Sequence, residues 1–300
     1  MGAYGAGGDV TTLPRPHDLV RLVRAPAALS VPGDVLAGAA AAGSPLRPCL
    51  FGMAGSSVCL YWAGMALNDY ADRELDAVER PERPIPGGAV TPAAALVIAG
   101  ALTSAGLGLA VLARGRRGLA TALPLAGVVW AYDLALKPTR AGAAAMATAR
   151  ALNVLTGAGP GGLRRALPAA ATVGLHTGMV TRLSRYEVGG APRSVPWQAL
   201  AVGGVVSASV LLRGRHRPFS DRAPAALFTA LYAGGGGRAQ LAAVRTPSSL
   251  RVRQAVAAGI HGLIPLQAAL TATAGRGAVG SALAGALPLA RRLGRKVSPT

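Results

Sequence analysis

The sequence predicts an all-α protein, a transmembrane bundle of about nine helices. Of its 300 residues, 51% are hydrophobic and only 14% are charged, and its mean hydropathy is +0.40. Long runs of Ala, Leu, Val and Gly alternate with short Arg-bearing breaks, and several runs reach the roughly 20 residues that a helix needs to cross a bilayer. Because this composition is too apolar for an ordinary soluble domain, we expect an integral membrane protein surrounded by membrane lipid.

Apolar runs bounded by polar breaks predict nine spans. They are residues 25–43, 47–67, 92–113, 118–136, 140–159, 166–181, 195–213, 222–243 and 252–273. Small residues at four-residue spacing let such helices approach closely, so we expect one helical domain over residues 25–275. In the eighth span, four consecutive glycines from Gly234 to Gly237 weaken helical propensity, which predicts a broken or partly re-entrant segment.

Two terminal segments flank the predicted domain. Residues 1–24 form a polar N-terminal segment without the pattern of a cleavable signal peptide. Residues 276–300 form a basic tail, which is predicted to be surface rather than a tenth helix. Cys49 and Cys59 lie ten residues apart in one predicted helix, too far apart for a disulfide.

The charge balance restricts the classes of partner. Lys and Arg exceed Asp and Glu by 31 to 12, for a net charge of +19, which favours polyanions or anionic lipid headgroups. The basic residues are scattered over loops, aromatics are only 4%, and no nucleic-acid-binding motif is present, so we expect no nucleic acid partner. Since Lys and Arg divide evenly between the two predicted faces, charge does not orient the chain in the membrane.

Acidic residues concentrate in one short segment. Six of the 12 lie between Asp69 and Glu82. Asn68, Asp72 and Asp76 follow i, i+4, i+8 spacing, and Asp69 lies three residues before Asp72, so all four fall near one face of a helix leaving the second span. Their oxygens suit Mg²⁺, which holds one or two carboxylates and leaves positions open for substrate phosphates. The segment predicts a magnesium–diphosphate site; the alternative is a solvated loop with a charged helix end.

Basic residues adjoin this segment. Arg80 and Arg83 lie in a proline-rich turn, where guanidinium groups bind phosphate oxygens bidentately. A second polar cluster follows the fourth span on the same predicted face and contains Tyr132, Asp133, Lys137, Thr139 and Arg140. Lys137 is expected to bind phosphate as a point charge; the alternative is a lysine snorkelling at the membrane boundary.

Charged and polar residues also fall inside predicted spans. Arg150 and Asn153 lie in the fifth span and Asp34 lies in the first. An intramembrane charge must find a partner and is a candidate for function. With Tyr132, these residues either line a cavity for an acceptor or form a buried structural pair.

The run NDYADRELDAVERPERPIPGGAVTP, residues 68–92, resembles the first Asp-rich motif of the UbiA prenyltransferase superfamily, N-D-x-x-D-x-x-x-D followed by R-P-x-R-P. That motif lies at the end of the second of nine membrane helices. The resemblance implies Mg²⁺-dependent transfer of an isoprenyl group from its diphosphate to a small lipophilic acceptor, at a site facing the cytoplasm of a bacterial membrane. With the residues singled out in the loop after the sixth span, the candidate metal ligands are Asn68, Asp69, Asp72, Asp76 and Glu187. The candidate catalytic residues are Asp72, Asp76 and Lys137, and the candidate diphosphate ligands are Arg80, Arg83, Lys137, Arg182 and Arg185.

The chain departs from that superfamily in the loop after the sixth span. A second Asp-rich motif is expected there, but Glu187 is the only acid between residues 181 and 190. Arg182 and Arg185 instead bring guanidinium groups, which substitute for a second ion in one hypothesis. In the other, transfer is lost and the protein binds or helps export an isoprenoid or secondary metabolite, as the loop's resemblance to the EboC branch implies.

Overall fold

Helices are the only regular secondary structure in the residues that the structure, a computed structural model, describes. These are residues 14–297, excluding the side chains of residues 26–27, 289–291 and 293–297. Twelve α-helices occur in this range: α1 Pro16–Leu22, α2 Val31–Ala41, α3 Pro48–Ala71, α4 Arg73–Glu79, α5 Pro92–Arg114, α6 Arg116–Ala131, α7 Gly142–Ala158, α8 Leu163–Ser184, α9 Ser194–Gly214, α10 Phe219–Arg245, α11 Ser249–Thr273 and α12 Gly277–Val297. The predicted all-helical fold class is confirmed.

Each of the nine predicted spans coincides with helical structure. The first consists of a 3-10 segment, Ala25–Ser30, that leads into α2, and the fourth consists of α6 continued by a π-helical turn, Tyr132–Leu136. Five helical segments are long and apolar enough to cross a membrane by themselves: Pro48–Ala71, Pro92–Arg114, Arg116–Leu136, Ser194–Gly214 and Ser249–Thr273. The remaining helices are shorter or more polar and pack among these five.

Two expectations were wrong. The glycine run does not break the eighth span, because α10 continues through Gly234 to Gly237. Helical hydrogen bonds are made by the backbone alone, and α10 packs against α9 and α11, which offsets the entropic cost of the glycines. The segment after residue 276 is also a helix, α12, which packs on α11 and α10.

The core is built from small side chains and close helix contacts. Gly280 shows how α12 docks, because a Cβ there would lie 2.6 Å from the carbonyl oxygen of Ala268 on α11. All of residues 262–273 in α11 are buried, which makes this helix central to the bundle. Cys49 and Cys59 are free thiols on α3, as predicted.

Residues 14–24 cover one end of the bundle. Leu22, at the end of α1, is fully buried in a cluster with Leu67 of α3 and with Ile85 and Val90 of the following loop. The π-helical turn also contacts α3 and α7. These contacts bring the N-terminal segment, the acidic segment and the turn after α6 together at the same end of the bundle.

Candidate functional site

The acidic segment is a helix, a turn and a second helix. α3 ends at Ala71, and Asp72 leaves helical geometry with φ −89° and ψ 3° before α4 begins. The Asp72 N–H still donates to Asn68 O at 2.9 Å, and the Asp76 N–H donates to Asp72 O at 2.8 Å. The turn therefore keeps the backbone of the acidic segment close to helical spacing. The four candidate ligands Asn68, Asp69, Asp72 and Asp76 nevertheless have different surroundings.

Asp69 is enclosed by two arginines. It is only 2% exposed, and its Oδ1 lies 2.8 Å from Arg24 Nη2 and 3.5 Å from Arg83 Nη1. Arg24 precedes the 3-10 segment and has φ +46°, a conformation that costs an ordinary residue about 1–3 kcal/mol. The ion pair helps to compensate this cost by joining the N-terminal segment to the end of α3.

Asp76 is enclosed in a similar way. It is 1% exposed, its Oδ2 contacts Arg83 Nη1, and its Oδ1 lies 3.8 Å from Arg80 Nη1. The loop after Arg83 is closed by a hydrogen bond from the Gly87 N–H to Arg83 O at 2.8 Å. Arg83 therefore lies between the two buried carboxylates with its backbone fixed as well.

Asp72 and Asn68 instead face the second polar cluster. The Asp72 side chain is 20% exposed and contacts Lys137 Nζ. Asn68 Nδ2 donates to Asp133 Oδ1 at 3.1 Å. Asp133 and Tyr132 belong to the π-helical turn, which the Lys137 N–H closes by donating to Tyr132 O at 2.8 Å. The two clusters that were singled out separately in the sequence therefore form one site.

The donor chemistry of this site suits a magnesium ion, although the carboxylates do not form a closed cage. Among residues 14–297, no three acidic, histidine or cysteine side chains form a group that could hold a metal. Asp69 and Asp76 are each paired with guanidinium groups, whereas Asn68 and Asp72 are partly exposed. Magnesium normally takes one or two carboxylates together with water and phosphate oxygens, so Asn68 and Asp72 fit an open site.

The loop after α8 reaches the same site. Arg185 Nη2 donates to the carbonyl oxygens of Lys137, at 3.1 Å, and of Thr139, so it fixes the turn that carries Lys137. Arg182 is exposed and has no side-chain partner within the described part of the chain. Burial raises the pKa of Glu187, while the charges of Arg80 and Arg253 act to lower it. Glu187 thus neighbours arginines rather than the carboxylates of the acidic segment.

The intramembrane residues form a buried cluster deeper in the bundle. Asp34 is fully buried and accepts hydrogen bonds from Asn153 Nδ2 at 2.9 Å and Gln267 Nε2 at 2.6 Å. Arg150 Nε lies 3.0 Å from Asp34 Oδ2, close enough for an ion pair, although the N–H is not aligned for a hydrogen bond. Arg150 Nη2 and Asn153 Oδ1 are buried without a hydrogen-bond partner in the described chain.

Sequence reasoning missed two members of these clusters. Arg24 lies 45 residues before Asp69, and Gln267 lies 233 residues after Asp34. Neither forms a local motif with its partner, so spacing carried no signal. The cost of an unpaired charge in an apolar environment did indicate that Asp34 requires partners, but not which residues provide them.

The sequence is similar to known prenyltransferases over part of its length. The model of the UbiA prenyltransferase family matches residues 30–182, just over half of the chain. A digeranylgeranylglyceryl phosphate synthase from Methanospirillum hungatei is 42% identical over 84 residues, which cover 26% of this chain and 28% of that protein. A chloroplastic chlorophyll synthase from Oryza sativa is 40% identical over 85 residues, 26% of this chain and 22% of that protein.

The fold also matches a solved structure. The apo structure of a UbiA homologue from Aeropyrum pernix superposes with a TM-score of 0.66 at 18% identity, covering 85% of this chain and 98% of that one. This similarity concerns the fold. The sequence matches to these two curated relatives span less than a third of each relative's length, and the relatives' names refer to different products.

Proposed function

Because this chain belongs to the UbiA prenyltransferase family, we propose that it is an integral membrane enzyme that transfers an isoprenyl group from an isoprenyl diphosphate to a lipophilic acceptor. The observation that carries the proposal is that Asn68 bonds to Asp133, and Asp72 contacts Lys137, at one end of the apolar bundle. A diphosphate is too highly charged to cross the membrane core, so it must be bound from an aqueous side. We propose that this side is the cytoplasm of a bacterial cell.

Asn68 and Asp72 are the residues that we assign to Mg²⁺. When bound, the ion would supply positive charge to the phosphate oxygens of the substrate. Asp69 and Asp76 were expected as further ligands, but their pairing with Arg24 and Arg83 supports a different role. We assign them the positioning of these guanidinium groups toward the diphosphate.

The remaining positive charge comes from the protein. Lys137 and Arg83 are the diphosphate ligands with the strongest support, because each adjoins a carboxylate of the site. Arg80 and Arg182 are more exposed and would contact the outer phosphate, while Arg185 holds the turn that carries Lys137. Such fixed charges stabilise a leaving group without reorganising during the reaction.

The reaction itself needs no protein nucleophile. The bond between the allylic carbon and the diphosphate oxygen breaks, and its electron pair leaves with the diphosphate. A nucleophilic atom of the acceptor bonds to that carbon and gives up its proton. The apolar helices exclude water, which would otherwise capture the allylic cation.

Arg150 and Asn153 are our candidates for contact with the polar group of the acceptor. The support is that Arg150 Nη2 and Asn153 Oδ1 are buried and lack partners within residues 14–297. Buried polar atoms are nearly always hydrogen-bonded. The Arg150 donor and the Asn153 acceptor could therefore both bond to a polar group of a bound molecule. Asp34 would hold both residues in place, with Tyr132 nearer the diphosphate.

Diphosphate release tests the proposal. Purified protein in lipid nanodiscs should release diphosphate from geranyl, farnesyl or geranylgeranyl diphosphate when Mg²⁺ and an extract of lipophilic acceptors are supplied. The Asp72→Asn variant should lose about 100-fold or more in rate, in the range typical for removing a key electrostatic group. Glu79→Gln is the matched control, since Glu79 lies in the same segment but is exposed. Equal rates for Asp72→Asn and the wild type would refute the assignment.

The altered loop after α8 favours a second candidate function, in which the protein binds or helps to export an isoprenoid without transfer. Glu187 is the only acid of that loop, and Arg185 is occupied by backbone carbonyls. Magnesium-dependent binding of the diphosphate with no release, across all donors and acceptor extracts, would support this candidate over the enzyme.

A further inference from the structure

A cleft unrelated to the acidic segment opens between α9, α10 and α11. Its volume is about 330 Å³, near the lower end of the roughly 300–1,000 Å³ found for small-molecule pockets. It lies midway along all three helices, and its lining includes the exposed residues Gly204 and Ala233. Since α9 and α11 are long and apolar enough to span a membrane, we expect the cleft to open toward the hydrocarbon region of the bilayer.

Glycines form the walls of the cleft and explain why it exists. A Cβ built on Gly204 or Gly236 would meet no atom within 4 Å, and one on Gly237 would meet only the tip of Leu200 at 3.9 Å. The glycine run of α10, which does not break that helix, therefore leaves open space where side chains would otherwise fill the groove.

An unpartnered polar side chain faces this space. Gln240 lines the cleft and is only 7% exposed, yet its carboxamide makes no hydrogen bond within the described chain. Its Oε1 lies 3.4 Å from the position that a Cβ on Gly203 would take, and the Tyr232 hydroxyl lies 4.0 Å from the same point. The two polar groups therefore converge. A carboxamide that is almost enclosed by the bundle, and reaches the cleft without a protein partner, favours a ligand that bonds to it.

The hydrogen bonds of the neighbouring groups define what that ligand offers. His176 Nε2 lies 3.0 Å from Gly259 O, and because a carbonyl oxygen only accepts, Nε2 carries the proton. In the neutral ring Nδ1 then accepts from the Tyr232 hydroxyl at 3.0 Å. The Ser207 hydroxyl likewise donates to Gly203 O at 2.8 Å. Tyr232 and Ser207 therefore present only lone pairs to the cleft.

We propose that this cleft binds an uncharged, single-chain lipid alcohol from the membrane. A ligand hydroxyl donates to the Tyr232 or Ser207 oxygen and accepts from the Gln240 amide, whereas a ketone or ester carbonyl meets only Gln240. Among the described residues, none that lines the cleft has a charged side chain, which disfavours a phospholipid headgroup. The cleft volume of about 330 Å³ is also near the lower end of the range for ligand pockets, which favours one lipid chain over two. The site shares no residue with the acidic segment, so the inference is independent of the proposed reaction.

Photolabelling tests this site directly. Full-length protein in phosphatidylcholine nanodiscs is irradiated with a hexadecanol probe that carries a diazirine near its hydroxyl, and labelled peptides are identified by mass spectrometry. Labelling is expected on α9, α10 and α11. Gly236→Leu and Gly204→Leu fill the cleft and should each lower labelling by about tenfold or more, equivalent to at least 1.4 kcal/mol. Gly108→Leu on α5 is the matched control, because a Cβ there also meets nothing within 4 Å.

The polar recognition has its own test. Gln240→Leu should lower labelling by the alcohol by about three- to tenfold, the effect of losing one hydrogen bond, while leaving labelling by a hydrocarbon probe of equal length unchanged. Labelling of the Gly236→Leu and Gly204→Leu variants at the wild-type level would overturn the site. Equal labelling of the wild type by the alcohol and by a ketone probe, or by a photoactivatable phosphatidylcholine, would overturn the assignment to an alcohol.

Discussion

The acidic side chains of the site differ in what surrounds each carboxylate. Asp69 and Asp76 are almost fully buried and lie against guanidinium groups, whereas Asp72 is partly exposed and lies against the Lys137 ammonium. Removing a partner from a buried pair leaves an uncompensated charge, while an ammonium at the surface can exchange Asp72 for phosphate at lower cost. Lys137 is therefore the cation that can most easily exchange its contact with Asp72 for a contact with the substrate diphosphate.

Lys137→Met should reduce diphosphate release while leaving the fold intact. We expect kcat/KM for the isoprenyl diphosphate to fall by about 100-fold, the scale of losing one electrostatic contact to a leaving group. The melting temperature should change little, because both partners of the pair are partly exposed. Steady-state kinetics and thermal unfolding in nanodiscs measure the two effects.

Arg140→Met provides the comparison for Lys137. Arg140 is a cation of the same turn that is exposed and has no side-chain partner in the described chain, so its loss should leave the rate near that of the wild type. An equal fall in both variants would show that the net charge of the turn, rather than contact by Lys137, matters.

At the scale of elements, glycines bring α2 and α7 together. A Cβ on Gly38 of α2 would lie 1.8 Å from the Val154 carbonyl oxygen, and one on Gly157 of α7 would lie 1.9 Å from that of Val35. Both distances are far below any real contact, and the obstacle is backbone that cannot rotate away. The reciprocal pair fixes the crossing of the two helices that also carry Asp34 and Arg150.

Gly38→Ala should therefore destabilise the protein, although alanine is the better helix former. We expect a loss of about 1–3 kcal/mol, typical of overpacking a close interface, seen as a lower melting temperature. Gly108→Ala on α5 should be neutral or slightly stabilising, because its Cβ meets open space. If Gly38→Ala matched Gly108→Ala, the close crossing would not exist in the folded protein.

At the scale of the whole molecule, one polar cluster connects helices from opposite ends of the chain. Asp34 of α2 is held by Arg150 and Asn153 of α7 and by Gln267 of α11. These groups lie among apolar side chains, where an unpaired charge is expensive. The cluster therefore links the first half of the bundle to its central helix.

Arg150→Met should be more destabilising than the double variant Arg150→Met/Asp34→Asn. The single change leaves the Asp34 carboxylate buried without its cation, which costs about 3–5 kcal/mol, and the second change removes that charge. The free energies of unfolding of the two variants can be compared by titration with a denaturing detergent. A double variant as unstable as the single one would show that the pair does not stabilise the fold electrostatically.

The sequence alone determined the all-helical class, the positions of the nine spans and the family, because apolar period, span length and the acidic motif are local properties of the chain. It also located Lys137 on the face of the acidic segment. It did not predict α12, because hydropathy does not show that this helix packs on α11. It also did not predict that α10 continues through its four glycines.

Only the tertiary structure decided how the charges pair. The pairs Asp69–Arg24 and Asp34–Gln267 each join residues that are far apart in the sequence. Tyr232 and Gln240 of α10 both lie near Gly203 because α10 packs against α9. Burial makes such pairs energetically necessary, but which partner satisfies each charge depends on helix crossing geometry. That geometry is set by close contacts between distant small residues such as Gly38 and Val154, and no local pattern encodes it.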